Sequence, residues 1–292
     1  MEEKYERVCG CCGKKLIYKS NSSYWLANKN NSNCRSCSRK IAVKRCGDLS
    51  SLLDDTVEAY YWIGFILADG CFHNLRLTIA LSIKDKEHLL KFAKFIKYTG
   101  SFYEDDTKIS VSVKDVECIQ KIMNKFNIVQ NKTYNPPMLN INDDVLFRSL
   151  IAGFIDGDGN ISKQSGGRSD YFLRIKCHSS WENNLRKMNL FISKKDTTII
   201  NSQGYAIFNI SNTEELKNFK RSIESLDLPL MYRKWDIIDY NFVSKYEKFS
   251  NNREQIKELL LLGKSINEIR NIINVCETTI YKIKKECGTI KK

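Results

Sequence analysis

The sequence predicts an α+β fold of two halves with the same element order, flanked by a small cysteine-bearing segment and a helical tail. Three observations carry that expectation. An apolar stretch occurs twice, as Trp62-Ile63-Gly64-Phe65-Ile66-Leu67-Ala68-Asp69-Gly70 and as Ile151-Ala152-Gly153-Phe154-Ile155-Asp156-Gly157-Asp158-Gly159, matching position by position. Each copy precedes the same succession of alternating and amphipathic stretches. A chain of 292 residues is long enough for two such halves with small appendages.

The first segment, taken as residues 1–47, carries two C-x-x-C knuckles, Cys9/Cys12 and Cys34/Cys37. Leu16-Ile17-Tyr18 and Tyr24-Trp25-Leu26 between them suggest a small hairpin. So short a segment cannot bury a core of its own, and a tetrahedral zinc site made by the four knuckle cysteines is the usual staple. Four thiolates leave no open position, so this zinc is expected to be structural. Cys11 could replace Cys12 or stay free, and Cys46 reads as a spare. Arg35, Arg39, Lys40, Lys44 and Arg45 follow the second knuckle, as phosphate contacts or as a solvated linker.

The first half is taken as 48–138. Asp54-Asp55-Thr56 offers a cap for the first copy. Beyond it, Leu75, Leu77, Ile79, Leu81 and Ile83 alternate with Arg76, Thr78, Ala80, Ser82 and Lys84, a half-buried strand with one polar side. An amphipathic helix with Leu89, Phe92 and Ile96 follows, ended by Gly100. A strand pair around Phe102–Tyr103 and Ile109–Val113 leads to a helix with Ile119 and Ile122, and Asn135-Pro136-Pro137 marks the crossing. The second half, 139–245, repeats the order: strands over 160–163 and 171–178, a helix over 182–193, strands over 198–200 and 205–210, and a helix over 213–225. Gln164 to Ser169 reads as a hairpin tip, and Ser211-x-x-Glu214 as a capping box.

In each repeated stretch a small residue stands third and another seventh, leaving a flat helix face where two backbones can approach. The closing glycines, Gly70 and Gly159, are expected as left-handed helix stops. Packed together, the two faces would bring Asp69 and Asp158 side by side at two helix C-termini, an unfavourable pairing that a hard divalent cation such as Mg²⁺ relieves. Two core helices that each end in an Asp-Gly turn are the plainer alternative, which a double occurrence disfavours.

These stretches resemble the paired motifs of LAGLIDADG homing endonucleases in the single-chain, two-motif form. The resemblance covers about 52–240 and implies two pseudo-symmetric αββαββα halves forming a DNA-binding saddle. It implies that Asp69 and Asp158, with the backbone carbonyls of Ala68 and Gly157, hold the catalytic Mg²⁺. Leu67 departs from the acid common at the sixth position, where the second copy has Asp156. A basic residue near the metals, where a last strand meets its helix, would be Lys114, with no counterpart at Ser211-Asn212. Strand faces reading DNA would offer Arg76, Lys84, Arg174 and Lys176, although ordinary solvated faces look the same.

The tail, 246–292, reads as three helices: one with Ile256, Leu259 and Leu260 broken at Gly263, a second opened by Ser265 with Glu268, and a third from Thr278 to Lys285. It resembles the helix-turn-helix of resolvase and transposase DNA-binding domains, which would put Glu277, Thr278, Thr279 and Lys282 at bases or phosphates. A plain three-helix packing unit is the alternative.

Charge agrees with a polyanionic partner. The net charge is +13, and residues 1–47 (11 basic, 3 acidic) and 245–292 (11 basic, 6 acidic) hold all of the excess. No apolar run approaches the roughly 18 residues of a membrane helix, and no signal peptide is evident, so no membrane partner is expected. Eleven irregularly spaced cysteines fit a reducing cytosol, of a bacterial or phage-infected cell. No Ser-His-Asp or Cys-His arrangement is evident among His73, His88 and His178. The expectation is a monomeric, intron-encoded, sequence-specific endonuclease that cuts double-stranded DNA at a long site with Mg²⁺. The alternative is a DNA- or RNA-binding protein on the same scaffold, an intron maturase or transcription regulator, without cleavage.

Overall fold

The structure is a computed structural model that describes residues 5–38, 46–163, 171–195, 200–243 and 245–289. Arg39, Lys40, Lys44, Arg45 and the expected hairpin tip at 164–169 lie outside the described residues. Among the described residues, apolar side chains gather into three separate clusters: a large one spanning both halves, one in the tail, and one formed by Cys9, Cys34 and Cys37.

In the amino-terminal segment β1 (Tyr5–Val8) pairs antiparallel with β2 (Lys15–Tyr18), and α1 (Asn21–Lys29) follows. The hairpin therefore differs from the expected one. The reversal occurs at the first knuckle, where Cys9 N–H donates to Lys14 O and Gly13 adopts φ +71°. Tyr24-Trp25-Leu26 lies in α1, because Ser20 Oγ accepts from Ser23 N–H and starts a helix there.

The first half runs α2 (Val57–Asp69), β3 (Gly70–His73), β4 (Arg76–Ser82), α3 (Lys86–Phe95), β5 (Tyr103–Glu104), β6 (Lys108–Val113) and α4 (Val116–Lys125). The second runs α5 (Asp144–Asp158), β7 (Gly159–Lys163), β8 (Tyr171–His178), α6 (Glu182–Ser193), β9 (Ile200–Ser202), β10 (Tyr205–Ile210) and α7 (Thr213–Glu224). These are the two αββαββα halves. Their sheets are antiparallel with equivalent orders, β3-β4-β6-β5 and β7-β8-β10-β9. Both repeated helices feed directly into an edge strand, with Gly70 opposite Ile79 and Gly159 opposite Ile175. Alternation holds: Leu77, Ile79 and Leu81 are buried, while Arg76 and Ala80 are exposed.

Helices α2 and α5 pack against each other through their small residues. A Cβ added at Gly64 would run into the Leu150 carbonyl, and one at Gly153 into the Tyr61 carbonyl. One at Gly157 would collide with Ala68 Cβ. The small-residue face is therefore the contact itself, made backbone to backbone.

Four local expectations change. Gly70 and Gly159 are extended (φ −79° and −78°), not left-handed; glycine is needed because a Cβ would press on the Ile66 and Ile155 carbonyls. The second helix of the first half ends at Phe95, where Lys97 takes φ +50° and Tyr98 N–H reaches Ala93 O, rather than at Gly100. Asn212, not Ser211, caps α7, its Oδ1 accepting from Glu214 and Glu215 N–H. Lys84 lies past β4 in a helical turn over Ile83–Asp85, so it is not on the strand face.

The chain closes with α8 (Tyr232–Trp235), α9 (Lys245–Leu261), α10 (Ile266–Ile273) and α11 (Glu277–Thr289). The last three bury Ile256, Ile269, Ile280 and Ile283 among themselves. Gly263 (φ +74°) ends α9, and Ser265 and Glu268 form the expected capping box.

The α2–α5 contact predicts the cost of enlarging it. Gly64→Ala is expected to destabilise the protein by about 3 kcal/mol, since neither facing backbone can retreat. Gly10→Ala, with open space around it, should change stability by less than about 0.5 kcal/mol. Urea unfolding measures both, and an unchanged midpoint for Gly64→Ala would refute the close approach.

Candidate active site

Asp69 and Asp158 are the last residues of α2 and α5, so the packing of the two helices carries both acids to one place. A Cβ at Gly157 would stand 3.5 Å from Asp69 Oδ2. Each carboxylate keeps solvent access, yet the surrounding protein strips away much of its water. Burial, then the charge of Asp158, pushes the Asp69 carboxyl up to about 6. Burial also raises Asp158, against the pull of two ammonium groups. The partial negative charge of two helix C-termini adds to the conflict.

Those ammonium groups belong to Lys132 and Lys234. Lys132 Nζ donates to the carbonyls of Leu67 (2.7 Å) and Ala68 (3.1 Å) at the end of α2. Lys234 Nζ is shared among the carbonyls of Ile155 (3.2 Å), Asp156 (2.5 Å), Gly157 (3.0 Å) and Gly159 (2.8 Å) at the end of α5. Burial lowers both lysines, and the nearby carboxylates oppose that shift. Each lysine comes from the segment after the last helix of its own half, a strap that crosses onto the other half. The first strap is held by Ser180 Oγ on Thr133 O (2.9 Å), Asn184 Nδ2 on Pro137 O (2.8 Å) and Lys187 Nζ on Leu139 O (2.9 Å). The second is held by Lys91 Nζ on Leu230 O (2.8 Å) and by the Arg233–Asp85 ion pair.

The sequence offers Lys114 as the basic residue near the acids and does not single out Lys132 or Lys234. Lys114 is exposed just past β6, and the charges acting on the two acids are those of Lys132 and Lys234. The detectable signal was one lysine shortly after the last amphipathic helix of each half; the surrounding residues, Asn131-Lys132 and Arg233-Lys234, do not match as a motif. Cys177 also borders the site, its Sγ 4.0 Å from Asp158 Oδ2, with burial and that carboxylate pushing the thiol up to about 12.

The donors present suit a hard divalent cation. Two carboxylates that disfavour each other's charge, with carbonyl oxygens beside them, form an oxygen-only set from two halves. The Ala68 and Gly157 carbonyls already accept from the lysines, each using one of two lone pairs.

The remaining expected residues are distributed as follows. Arg76, Arg174 and Lys176 lie on exposed strand faces; Arg76 reaches Ser112 Oγ (3.0 Å), Arg174 Nε reaches Asn209 Oδ1 (3.1 Å), and Lys176 covers the Tyr205 ring. In the tail, Thr278 and Lys282 are exposed, Glu277 pairs with Arg270 (2.8 Å), and the Thr278 and Thr279 hydroxyls lie 3.0 Å from Cys276 Sγ.

A second candidate centre sits in the amino-terminal segment. The Sγ atoms of Cys9, Cys12, Cys34 and Cys37 all lie within 4.8 Å of one another, while Cys11 is exposed and outside the group. Hydrogen bonds outweigh burial in setting these thiol pKa values. Backbone N–H groups, Cys34 first, lower Cys9 to about 6, and the crowded sulfur atoms raise Cys37. Cys34 N–H points at Cys9 Sγ (3.2 Å) and Cys37 N–H at Cys34 Sγ (3.4 Å), an arrangement that favours thiolates.

The Asp69 shift has a sign. The folded chain holds this proton from about pH 4, where an unfolded carboxyl releases it, up to about 6, so metal-free stability falls as pH rises through that window. Asp69→Asn removes the effect. In chelator, the variant is expected to lose less stability than wild type between pH 5 and pH 8; equal slopes in urea unfolding would contradict the paired-acid geometry.

No family model and no curated protein matches the chain. Among solved structures, its fold is similar to LAGLIDADG homing endonucleases. I-SmaMI bound to cleaved DNA is 14% identical with a TM-score of 0.46, over 73% of this chain and 95% of that one. The meganuclease I-CpaMI bound to uncleaved DNA is 13% identical with a TM-score of 0.43, over 77% and 97%. I-SmaMI bound to its uncleaved DNA target with calcium ions is 12% identical with a TM-score of 0.44, over 80% and 98%. At such identities only the residues of this chain can assign its chemistry.

Proposed function

We propose that the protein is a sequence-specific endonuclease that hydrolyses both strands of duplex DNA with Mg²⁺ held by Asp69 and Asp158. The observation that carries this reading is the convergence of two acids and two lysines, one of each from either half, at the junction of two pseudo-symmetric sheets. A two-fold arrangement of charge suits a two-stranded substrate whose scissile phosphates are related by a similar axis. Mg²⁺ bound there would act as a Lewis acid and lower the pKa of a bound water. The protein's own part is to fix the acids by helix packing and to hold two ammonium groups where phosphate charge builds up. A side-chain nucleophile is not needed.

The exposed strand faces with Arg76, Arg174 and Lys176 would follow the grooves and backbone of the duplex. The three-helix tail is proposed to bind DNA through α11, with Thr278 and Lys282 foremost because both are free of the core. The four-cysteine group is proposed to hold structural zinc, and the basic ends to lengthen the contact and add affinity for a long site. The protein is proposed to act as a monomer, since one chain supplies both acids. No helix among the described residues is long and apolar enough to cross a membrane.

Two experiments test this. Sequences cleaved from a randomised DNA library with Mg²⁺ identify the target. On that target, Asp69→Asn or Asp158→Asn should lower double-strand cleavage by on the order of 10³-fold. Binding should stay within about tenfold, about 1.4 kcal/mol. Cleavage intact in either variant rules the assignment out, and binding without cleavage by the wild-type chain favours a regulator or maturase. Separately, the purified protein should carry one zinc per chain. Cys12→Ser should release it and Cys11→Ser should not; retention by Cys12→Ser would break the four-cysteine assignment.

A further inference from the structure

Asp156 takes no part in the chemistry proposed above, yet it is fully buried in the last turn of α5. Its carboxylate is lined entirely by donors. Tyr61 Oη, on α2, donates to Oδ2 at 2.6 Å; Met231 N–H donates to Oδ2 at 2.8 Å; Trp235 Nε1 donates to Oδ1 at 2.7 Å. Tyr61 Oη also lies 3.2 Å from His88 Nε2 of α3. Because the tyrosine proton goes to Asp156, His88 acts as the donor at Nε2 by this network, and burial keeps its ring neutral, with a pKa near 3. One carboxylate thus joins α5, α2 and the second strap. Met231 and Trp235 bracket Lys234, so the strap is tied by a backbone N–H before the lysine and by an indole after it.

Among the described residues, the first half has no equivalent. Leu67 stands at the matching position and offers no acceptor. Among the described residues, both straps take bonds from the opposite half, the first from Ser180, Asn184 and Lys187 and the second from Lys91 and Asp85. The second is also bonded to the buried Asp156 of its own half, and Lys132 reaches two carbonyls where Lys234 reaches four. The two lysines are therefore set by different means on a scaffold otherwise repeated.

We infer that Asp156 is a positioning residue that sets Lys234, and that it makes the two strand-cutting centres unequal in what they depend on. This rests on the endonuclease reading and adds to it. The centre served by Lys234 depends on the buried carboxylate; the centre served by Lys132 does not.

The test is strand-resolved cleavage by the full chain with Mg²⁺, on the library-derived target carrying a different label on each strand. Asp156→Asn keeps the shape and makes one acceptor a donor. It is expected to slow one strand about tenfold or more and the other less than about threefold, so nicked duplex accumulates. Lys234→Met should bias cleavage against the same strand, and Lys132→Met against the opposite one. Asp156→Asn combined with Lys234→Met should be no slower than Lys234→Met alone, because both act through one group. Equal slowing of both strands, a bias shared with Lys132→Met, or multiplying effects in the double variant would each overturn the inference. Should Asp156→Asn fail to fold, Trp235→Phe removes a single donor and keeps an aromatic ring. It should give the same bias more weakly, and equal strand rates would overturn the inference. Wild-type protein that cuts neither strand removes the endonuclease reading, and the inference falls with it; strand bias absent in an enzyme that does cut leaves the endonuclease reading standing alone.

Discussion

Backbone-to-backbone contact between α2 and α5 is the constraint from which the rest follows. Gly64 and Gly153 each sit where a single methyl group would strike a carbonyl of the other helix. That closeness fixes the rotation and stagger of the pair, and with them the positions of the two terminal acids. The helices are buried on nearly every side, so apolar burial drives the pairing while the glycines determine its geometry. Two carboxylates brought together at two helix C-termini are the electrostatic consequence.

The fold meets that consequence with lysines that neither repeated stretch contains. Each half ends in a strap that leaves its own domain, docks on the opposite half and returns an ammonium group to the carbonyls at the end of its own helix. The halves are thereby interlocked, and disturbing one strap affects both the packing between halves and the charge at the site. The exposed polar strand faces with Arg76, Arg174 and Lys176 lie outside this locked centre.

Much of this was legible in the sequence. The repeat marked the two helices, their small-residue face and both acids, because close packing tolerates few residue types. Alternation and amphipathic spacing located both sheets and most helices, since each element buries one face. The knuckle spacing pointed to the four clustered thiols, and between two exposed neighbours it is the sulfur positions that put Cys12 in the group and leave Cys11 out. What was not legible depended on tertiary contact. Lys132 and Lys234 are single residues in unlike surroundings, and only the crossing of the straps gives them a role. The sequence marked Leu67 as the departure at the sixth position, but not that Asp156 in the other copy gathers the Tyr61, Met231 and Trp235 donors. The amino-terminal hairpin was misplaced because its turn is the knuckle itself, whose backbone bonds do not show in an apolar pattern.

The most direct test of the central claim is anomalous X-ray diffraction from crystals of the full chain with duplex target DNA and Mn²⁺ in place of Mg²⁺. Manganese is expected to be coordinated by both the Asp69 and the Asp158 carboxylates, at the junction of the two halves. Manganese bound elsewhere, or two acids separated and facing solvent independently, would contradict it.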